Sequence, residues 1–253
     1  FRTELYSAIR REASGEDIGQ NSWLTAVEQD KFLSWLGLAA GKTLLDVACG
    51  AGGPALRIAA LTGCTLTGVD AHEQAISTAR SLASQRGLES RADFRVVDAE
   101  NQLPFPQSSF DAITCIDAIN HLLDRPRVLA DWTRLLKSGG RVLFTNPAVV
   151  TGPVTYAELT VRSLSGAYLF VPRGYDERVL VECGLRVLAC EDRTPNMAEI
   201  AERRKKARES RNAALRQIEG DAAYENLQKF LSVVGQVARE GRLSRYVYVA
   251  EKG

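Results

Sequence analysis

Three short loops carry the first chemistry legible in this chain. Leu45-Asp46-Val47-Ala48-Cys49-Gly50-Ala51-Gly52-Gly53-Pro54 sets an acid beside a run of small residues. Small residues let the backbone approach a ligand closely. A helix starting behind them offers free N–H groups and a positive dipole end to an anionic group such as a carboxylate. A tight strand-to-helix turn without a ligand is the plainer reading. Thr67-Gly68-Val69-Asp70-Ala71 sets an acid 20 residues beyond Gly50, where a carboxylate can accept from ribose hydroxyls. A helix N-cap is the alternative. Val96-Val97-Asp98-Ala99-Glu100 brings another acid, suited to accept from an exocyclic amine such as that of adenine. Any one of these is a weak signal, but three in order, each closing an apolar run, are a pattern.

Other reactive residues are few. The histidines are His72 and His121, and the cysteines are Cys49, Cys64, Cys115, Cys183 and Cys190, with no CxxC pair. That inventory supports neither a disulfide framework nor a zinc site, so no metal is expected. The thiols read as buried and reduced, the usage of a cytoplasmic protein. Arg203-Arg204-Lys205-Lys206 invites a nucleic-acid reading. Glu199, Glu202, Glu209 and Glu219 accompany it without interleaved aromatics, so a solvated helix face is expected instead.

The elements that must position these loops alternate. Strands are expected at 43–47, 65–69, 94–97, 112–116 and 141–146, and helices at 25–36, 54–61, 73–86 and 125–137. Ser138-Gly139-Gly140 is expected to end the last of these helices. Such alternation implies βαβ units, right-handed crossovers and a parallel, doubly wound α/β sheet. Ligands bind such sheets beyond the carboxyl ends of the strands. The remainder reads as a helix at 175–182, a strand at 185–190, a charged helix at 198–218, an amphipathic helix at 223–238 and a last strand at 246–250. Residues 1–22 read as polar and mixed.

Composition excludes several classes. With 253 residues, 45% hydrophobic and 25% charged, the chain can bury a sizeable core. Thirty-two basic against 31 acidic residues leave no global field for nucleic acid or an anionic membrane. No apolar run approaches the roughly 20 residues needed to cross a bilayer, and no signal-peptide pattern opens the sequence.

Residues 44–146 resemble the core of a class I S-adenosylmethionine-dependent methyltransferase of the small-molecule type. The resemblance rests on LDVACGAGG at 45–53, GVD at 68–70, VVDAENQLPFPQSSFDAITC at 96–115 and LLKSGGRVLFTNP at 135–147. It implies a seven-stranded, mostly parallel Rossmann-like sheet and S-adenosyl-L-methionine as cofactor. It carries cofactor binding over to Ala48, Gly50, Asp70, Ala71, Asp98, Ala99 and Ile116. Asp70 is then the ribose acceptor, and the Asp98-Ala99 pair meets adenine. The family's usual first loop glycine is Ala48 here, which can still turn tightly if its φ is negative. The stretch Cys115–His121 is similar to that of phosphoethanolamine- and sarcosine-type enzymes and lacks the Asn/Asp-Pro-Pro-Tyr signature of enzymes that methylate nucleobase amines. Asp117 or His121 is the catalytic base expected for an amine or hydroxyl acceptor, with a helix cap and a packed structural histidine as the plainer readings. A carbon acceptor would need an apolar, cation-tolerant pocket instead.

The expected organisation is a single methyltransferase domain over residues 1–253. Residues 1–37 form an N-terminal cover, 38–147 the cofactor core, and 148–183 and 192–243 cap insertions around the acceptor. Gln20 or Ser22 is expected near the methionine end of the cofactor, with Trp23 anchoring the cover. Tyr156, Tyr168, Phe170 and Tyr175 are expected as apolar walls, and Arg162 or Arg173 as the holder of an anionic substrate group. The substrate-binding residues expected first are Tyr168, Phe170 and Arg173. The expected partner is a small-molecule methyl acceptor, with neither nucleic acid nor membrane. A homodimer interface competes for the same cap aromatics. The rival functions are a non-catalytic binding subunit that kept the fold and, behind it, a nicotinamide-dependent oxidoreductase, which would carry GxGxxG.

Overall fold

The apolar runs of the first half become the parallel strands of one sheet. The structure, a computed structural model, describes residues 3–164 and 166–253. In chain order the strands are β1 (Thr43–Val47), β2 (Thr65–Asp70), β3 (Ala92–Val96), β4 (Phe110–Ile116), β5 (Leu136–Val150), the two-residue β6 (Val171–Pro172), β7 (Leu185–Asp192) and β8 (Leu243–Lys252). They lie in the order β3-β2-β1-β4-β5-β8-β7, with β6 beside β5. β1 to β5 run parallel, while β8 is antiparallel to both β5 and β7. The order reverses between β1 and β4, which puts the binding crevice of such a sheet at their carboxyl ends.

Strand side chains alternate between two cores, as a period of two requires. On β8, Tyr246, Tyr248 and Ala250 join the core that holds α5 (Arg125–Leu135) and α7 (Tyr175–Glu182). Val247 and Val249 join the core that holds α2 (Ala26–Leu36), α3 (Gly53–Thr62) and α4 (Glu73–Gln85). Helix ends follow local chemistry. The Thr25 side chain accepts from the Glu28 N–H at 3.1 Å, and Pro54 occupies the first turn of α3.

Several boundaries differ from expectation. Residues 4–14 form α1 (Glu4–Ser14): Leu5, Ile9 and Ala13 repeat every fourth residue, and Ile9 and Ala13 are buried. The helix after β4 stops at Leu135 instead of running to 137. Leu136 adopts strand geometry and pairs with Phe110, so Ser138-Gly139-Gly140 lies within β5 instead of capping α5. The charged segment is two helices, α8 (Thr194–Glu209) and α9 (Asn212–Glu219), in place of one over 198–218. α10 (Asp221–Arg239) follows, and α6 (Tyr156–Arg162) precedes β6. α1, α6, α8, α9 and α10 pack on one another as a helical cap.

Candidate active site

The strand ends, the segment before α2 and the cap enclose a cavity of about 990 Å³. Ala48, Gly50, Asp70, Ala71, Asp98, Ala99 and Ile116 all line it. Ala48 has φ +56°, so the sequence-based requirement of a negative φ is not met. An alanine in that region costs roughly 1–2 kcal/mol, and the loop carries this strain next to the cavity. Gly50 has φ +54° and open space where a Cβ would project, which leaves its backbone bare to a ligand. The Gly50 N–H donates to Asp70 Oδ2 at 2.8 Å, and Asp70 Oδ1 accepts the His72 N–H at 2.9 Å. Asp70 thus fixes the first loop while presenting its carboxylate to the cavity. Asp98 is exposed and accepts from Glu100 N–H and Asn101 Nδ2, both at 2.9 Å. Below them Asp46 is buried and accepts from Thr114 Oγ1 at 2.6 Å. Burial, with the charge of Asp70 added, pushes its carboxyl up to about 7. An open glycine loop and the carboxylates of Asp70 and Asp98 suit a cationic, polyhydroxylated nucleoside.

The segment before α2 closes one side. Gly53 is a forced choice, because a Cβ there would lie 2.4 Å from the Ile18 carbonyl. Ser22 and Trp23 line the cavity, and Gln20 does not. The Gln20 amide is consumed locally, accepting from Ile18 N–H at 2.9 Å and donating to the Glu16 carbonyl at 2.9 Å. It shapes the turn and leaves ligand contact to its neighbours. The Trp23 N–H donates to Asp117 Oδ2 at 2.8 Å, and its ring stacks on Phe230 of α10 at 6.2 Å.

Asp117 lines the cavity, but its carboxylate is committed. Oδ1 accepts from Thr145 Oγ1 and Arg245 Nε, both at 2.7 Å, while Oδ2 takes the Trp23 N–H. Arg245, fully buried, also donates to both oxygens of Glu28 at 2.8 and 2.9 Å. Three donors, one of them a guanidinium, occupy both oxygens of Asp117. It does not cap the following 3-10 turn, whose N-cap residue is Ala118. It ties the cover to the sheet, at φ +53°. His121 differs. Its Nδ1 lies 3.1 Å from the Ala167 carbonyl, which can only accept, so Nδ1 carries the proton. Burial holds its pKa below the ordinary histidine value, so the ring is neutral near pH 7 and Nε2 keeps its lone pair. The ring lines the cavity and packs edge-on against Tyr168 at 4.5 Å.

Tyr168 lines the cavity; Phe170 and Arg173 do not. Phe170 stacks behind Tyr168 at 5.8 Å. Arg173 donates to the Tyr246 hydroxyl at 2.5 Å and lies over that ring, because it follows β6 and so flanks the sheet. Tyr156 is 86% exposed, and Tyr175 packs on the core under the sheet, so neither is a wall. The arginine that does line the cavity is Arg162, buried, donating to the Pro147 carbonyl at 2.9 Å. α10 contributes Leu227 and Phe230 as a roof. The basic run corrects in part: Arg203 and Lys206 pair with glutamates one turn away, whereas Arg204 reaches the cavity and donates to Asn21 Oδ1 at 2.9 Å. Arg208 and Glu219 reach it too. The stripe of α8 did not announce this, because the surrounding glutamates mask which face turns inward.

Residues 45–144 match the family model described as a methyltransferase domain. The 27-O-demethylrifamycin SV methyltransferase of Amycolatopsis mediterranei is 30% identical over 208 residues, covering 79% of this chain and 75% of that protein. The chain is a member of the class I S-adenosylmethionine-dependent methyltransferases. A ubiquinone biosynthesis O-methyltransferase of Thiobacillus denitrificans is 37% identical over 106 residues, but the match spans only 42% of this chain and 44% of that relative. Among solved structures, Haemonchus contortus phosphoethanolamine N-methyltransferase 2 with S-adenosyl-L-methionine superposes with a TM-score of 0.84 at 22% identity, over 99% of this chain and 58% of that one. As a methyltransferase of this family, the chain is an enzyme that uses S-adenosylmethionine as methyl donor. Among the described residues no helix is long and apolar enough to cross a membrane.

Proposed function

We propose that this methyltransferase moves the methyl group to an oxygen or nitrogen of a small molecule held under α10, with His121 as the general base. The observation that carries this reading is the tautomer of His121: a ring whose Nδ1 proton is held by the Ala167 carbonyl and whose other nitrogen is unprotonated. Gly50, Asp70, Ala71, Asp98, Ala99 and Ile116 would hold S-adenosylmethionine, which supplies a methyl on a sulfonium and needs alignment more than activation. Asp70 then accepts the ribose hydroxyls and Asp98 faces the adenine amine. The Asp117 tether to Trp23 keeps the cover closed and water out. His121 takes the acceptor's proton on Nε2 while the Ala167 carbonyl holds Nδ1–H. The rifamycin and ubiquinone relatives support a small acceptor, and the free thiols support a cytoplasmic setting.

The test is His121→Ala, assayed by S-adenosylhomocysteine release over a panel of phenols, hydroxy acids and amines. Turnover should fall by about 10²–10⁴, with S-adenosylhomocysteine affinity unchanged. The wild-type rate should rise with pH through a pKa below that of free histidine, and the variant should lose that limb. A variant with full turnover means that the base lies elsewhere.

A further inference from the structure

The charges lining the cavity are segregated. The strand-end side carries Asp70, Asp98 and Glu100, with Asp117 paired to Arg245 and Asp46 part-protonated; the cap side carries Arg162, Arg204 and Arg208 against Glu219 among the described residues. Glu219 is already spent, accepting two guanidinium bonds from Arg208 at 3.1 and 2.7 Å and the Tyr6 hydroxyl at 2.8 Å. Arg204 and Arg162 are left without a carboxylate partner among the described residues. Arg204 is half-buried against the neutral Asn21; its charged neighbours are Arg208, Arg10 and Glu219, of which Glu219 is hydrogen-bonded to Arg208 and Arg10 is paired with Asp17. Arg162 is fully buried over the Tyr168 and Phe230 rings, at 5.7 and 5.2 Å, and its Nε has no partner among the described residues. A guanidinium taken out of water without a carboxylate of its own is unfavourable; burial holds the pKa of each down to about 10, against the smaller opposing pull of Asp117 on Arg162 and of Glu219 on Arg204.

We propose that the cap end of the cavity is an anion site, built on Arg204 and Arg162, and that the methyl acceptor is an apolar molecule carrying a carboxylate or phosphate. This rests on the methyl-transfer reading above and names its substrate class. The acidic end of the cavity matches a cationic donor, and the basic end matches an anionic acceptor. The aromatic rings of Trp23, Tyr168 and Phe230 supply the apolar body's walls between them. Tyr168 packs against both Arg162 and His121, so the anion and the reacting atom lie on the same small molecule, about one ring apart.

The experiment uses the full chain saturated with S-adenosylhomocysteine. Inorganic phosphate at constant ionic strength should raise the thermal midpoint of the wild type, and Arg204→Gln and Arg162→Met should each lose that rise. Methyl acceptors are then offered as matched pairs, each acid beside its amide and each phosphate monoester beside its alcohol. The anionic member should be preferred by about tenfold or more, the range expected for one charge-assisted hydrogen bond. Whether the acids or the phosphate esters carry the preference identifies the anion. Arg204→Gln should erase the preference, and Arg204→Lys should restore part of it. Neutral members used as readily as anionic ones, or a preference that survives in Arg204→Gln and Arg162→Met, would overturn the proposal. Failure to bind S-adenosylhomocysteine in the same titrations would instead strike the donor assignment, so the two failures are separable.

Discussion

Replacing Asp46 by asparagine should make the protein's stability less sensitive to pH. The carboxyl is pushed up to about 7 by burial and by the nearby charge of Asp70, against about 3.9 in an unfolded chain. Between those values the folded state holds a proton that the unfolded state has released. The favourable contribution is therefore complete below the unfolded value and is lost as pH rises through the folded one. The slope is about 1.4 kcal/mol per pH unit, levelling off above pH 7. The asparagine side chain would keep an acceptor for the Thr114 hydroxyl, now 2.6 Å from the carboxylate, and would not titrate. Urea unfolding of the ligand-free proteins at a series of pH values reads the difference directly. Stability of the variant relative to wild type should grow by about 2–3 kcal/mol from pH 5 to pH 8. A difference that stays flat over that range would refute the argument that Asp46 is protonated in the folded protein.

Two further outcomes concern stability. Arg125 and Asp176 form an ion pair in which both side chains are fully buried, and Asn146 adds a hydrogen bond to Asp176 at 2.7 Å. Asp176→Ala should cost about 3–5 kcal/mol in denaturant unfolding, because it strands the guanidinium. Ala48→Gly should stabilise the fold by up to about 1 kcal/mol in the same assay, since relief of the left-handed strain exceeds the added chain entropy.

The sheet and its binding edge are legible in the sequence because their causes are local. Apolar runs, strand-end acids and Gly50 lie within a few residues of one another, and the lining of the cavity by Asp70 and Asp98 follows from position at a strand's end. What escapes is decided at a distance. Asp117 looks like a free acid until Arg245, 128 residues away, and the Trp23 backbone claim it. Arg204 looks like part of a solvated run until α8 docks against α1 and α10 and turns one side chain of four inward. Ala48 hides its positive φ behind an ordinary residue type, and the family's usual glycine at that position is the one signal that could have revealed it. Phe170 and Arg173 are lost to tertiary partners. Phe170 spends its face on the Tyr168 ring, and pairing of β6 with β5 carries Arg173 to the Tyr246 ring.

Paired turnover and S-adenosylhomocysteine calorimetry on Asp70→Ala, Tyr168→Ala and Arg173→Ala test most directly the claim that one cavity holds donor and acceptor at opposite ends. Asp70→Ala should weaken S-adenosylhomocysteine binding by about 1.5–3 kcal/mol, the value of a hydrogen bond to a charged group. Tyr168→Ala should keep that affinity and lose turnover, and Arg173→Ala, outside the cavity, should keep both. Unchanged affinity in a folded Asp70→Ala, or full turnover in Tyr168→Ala, would contradict the account.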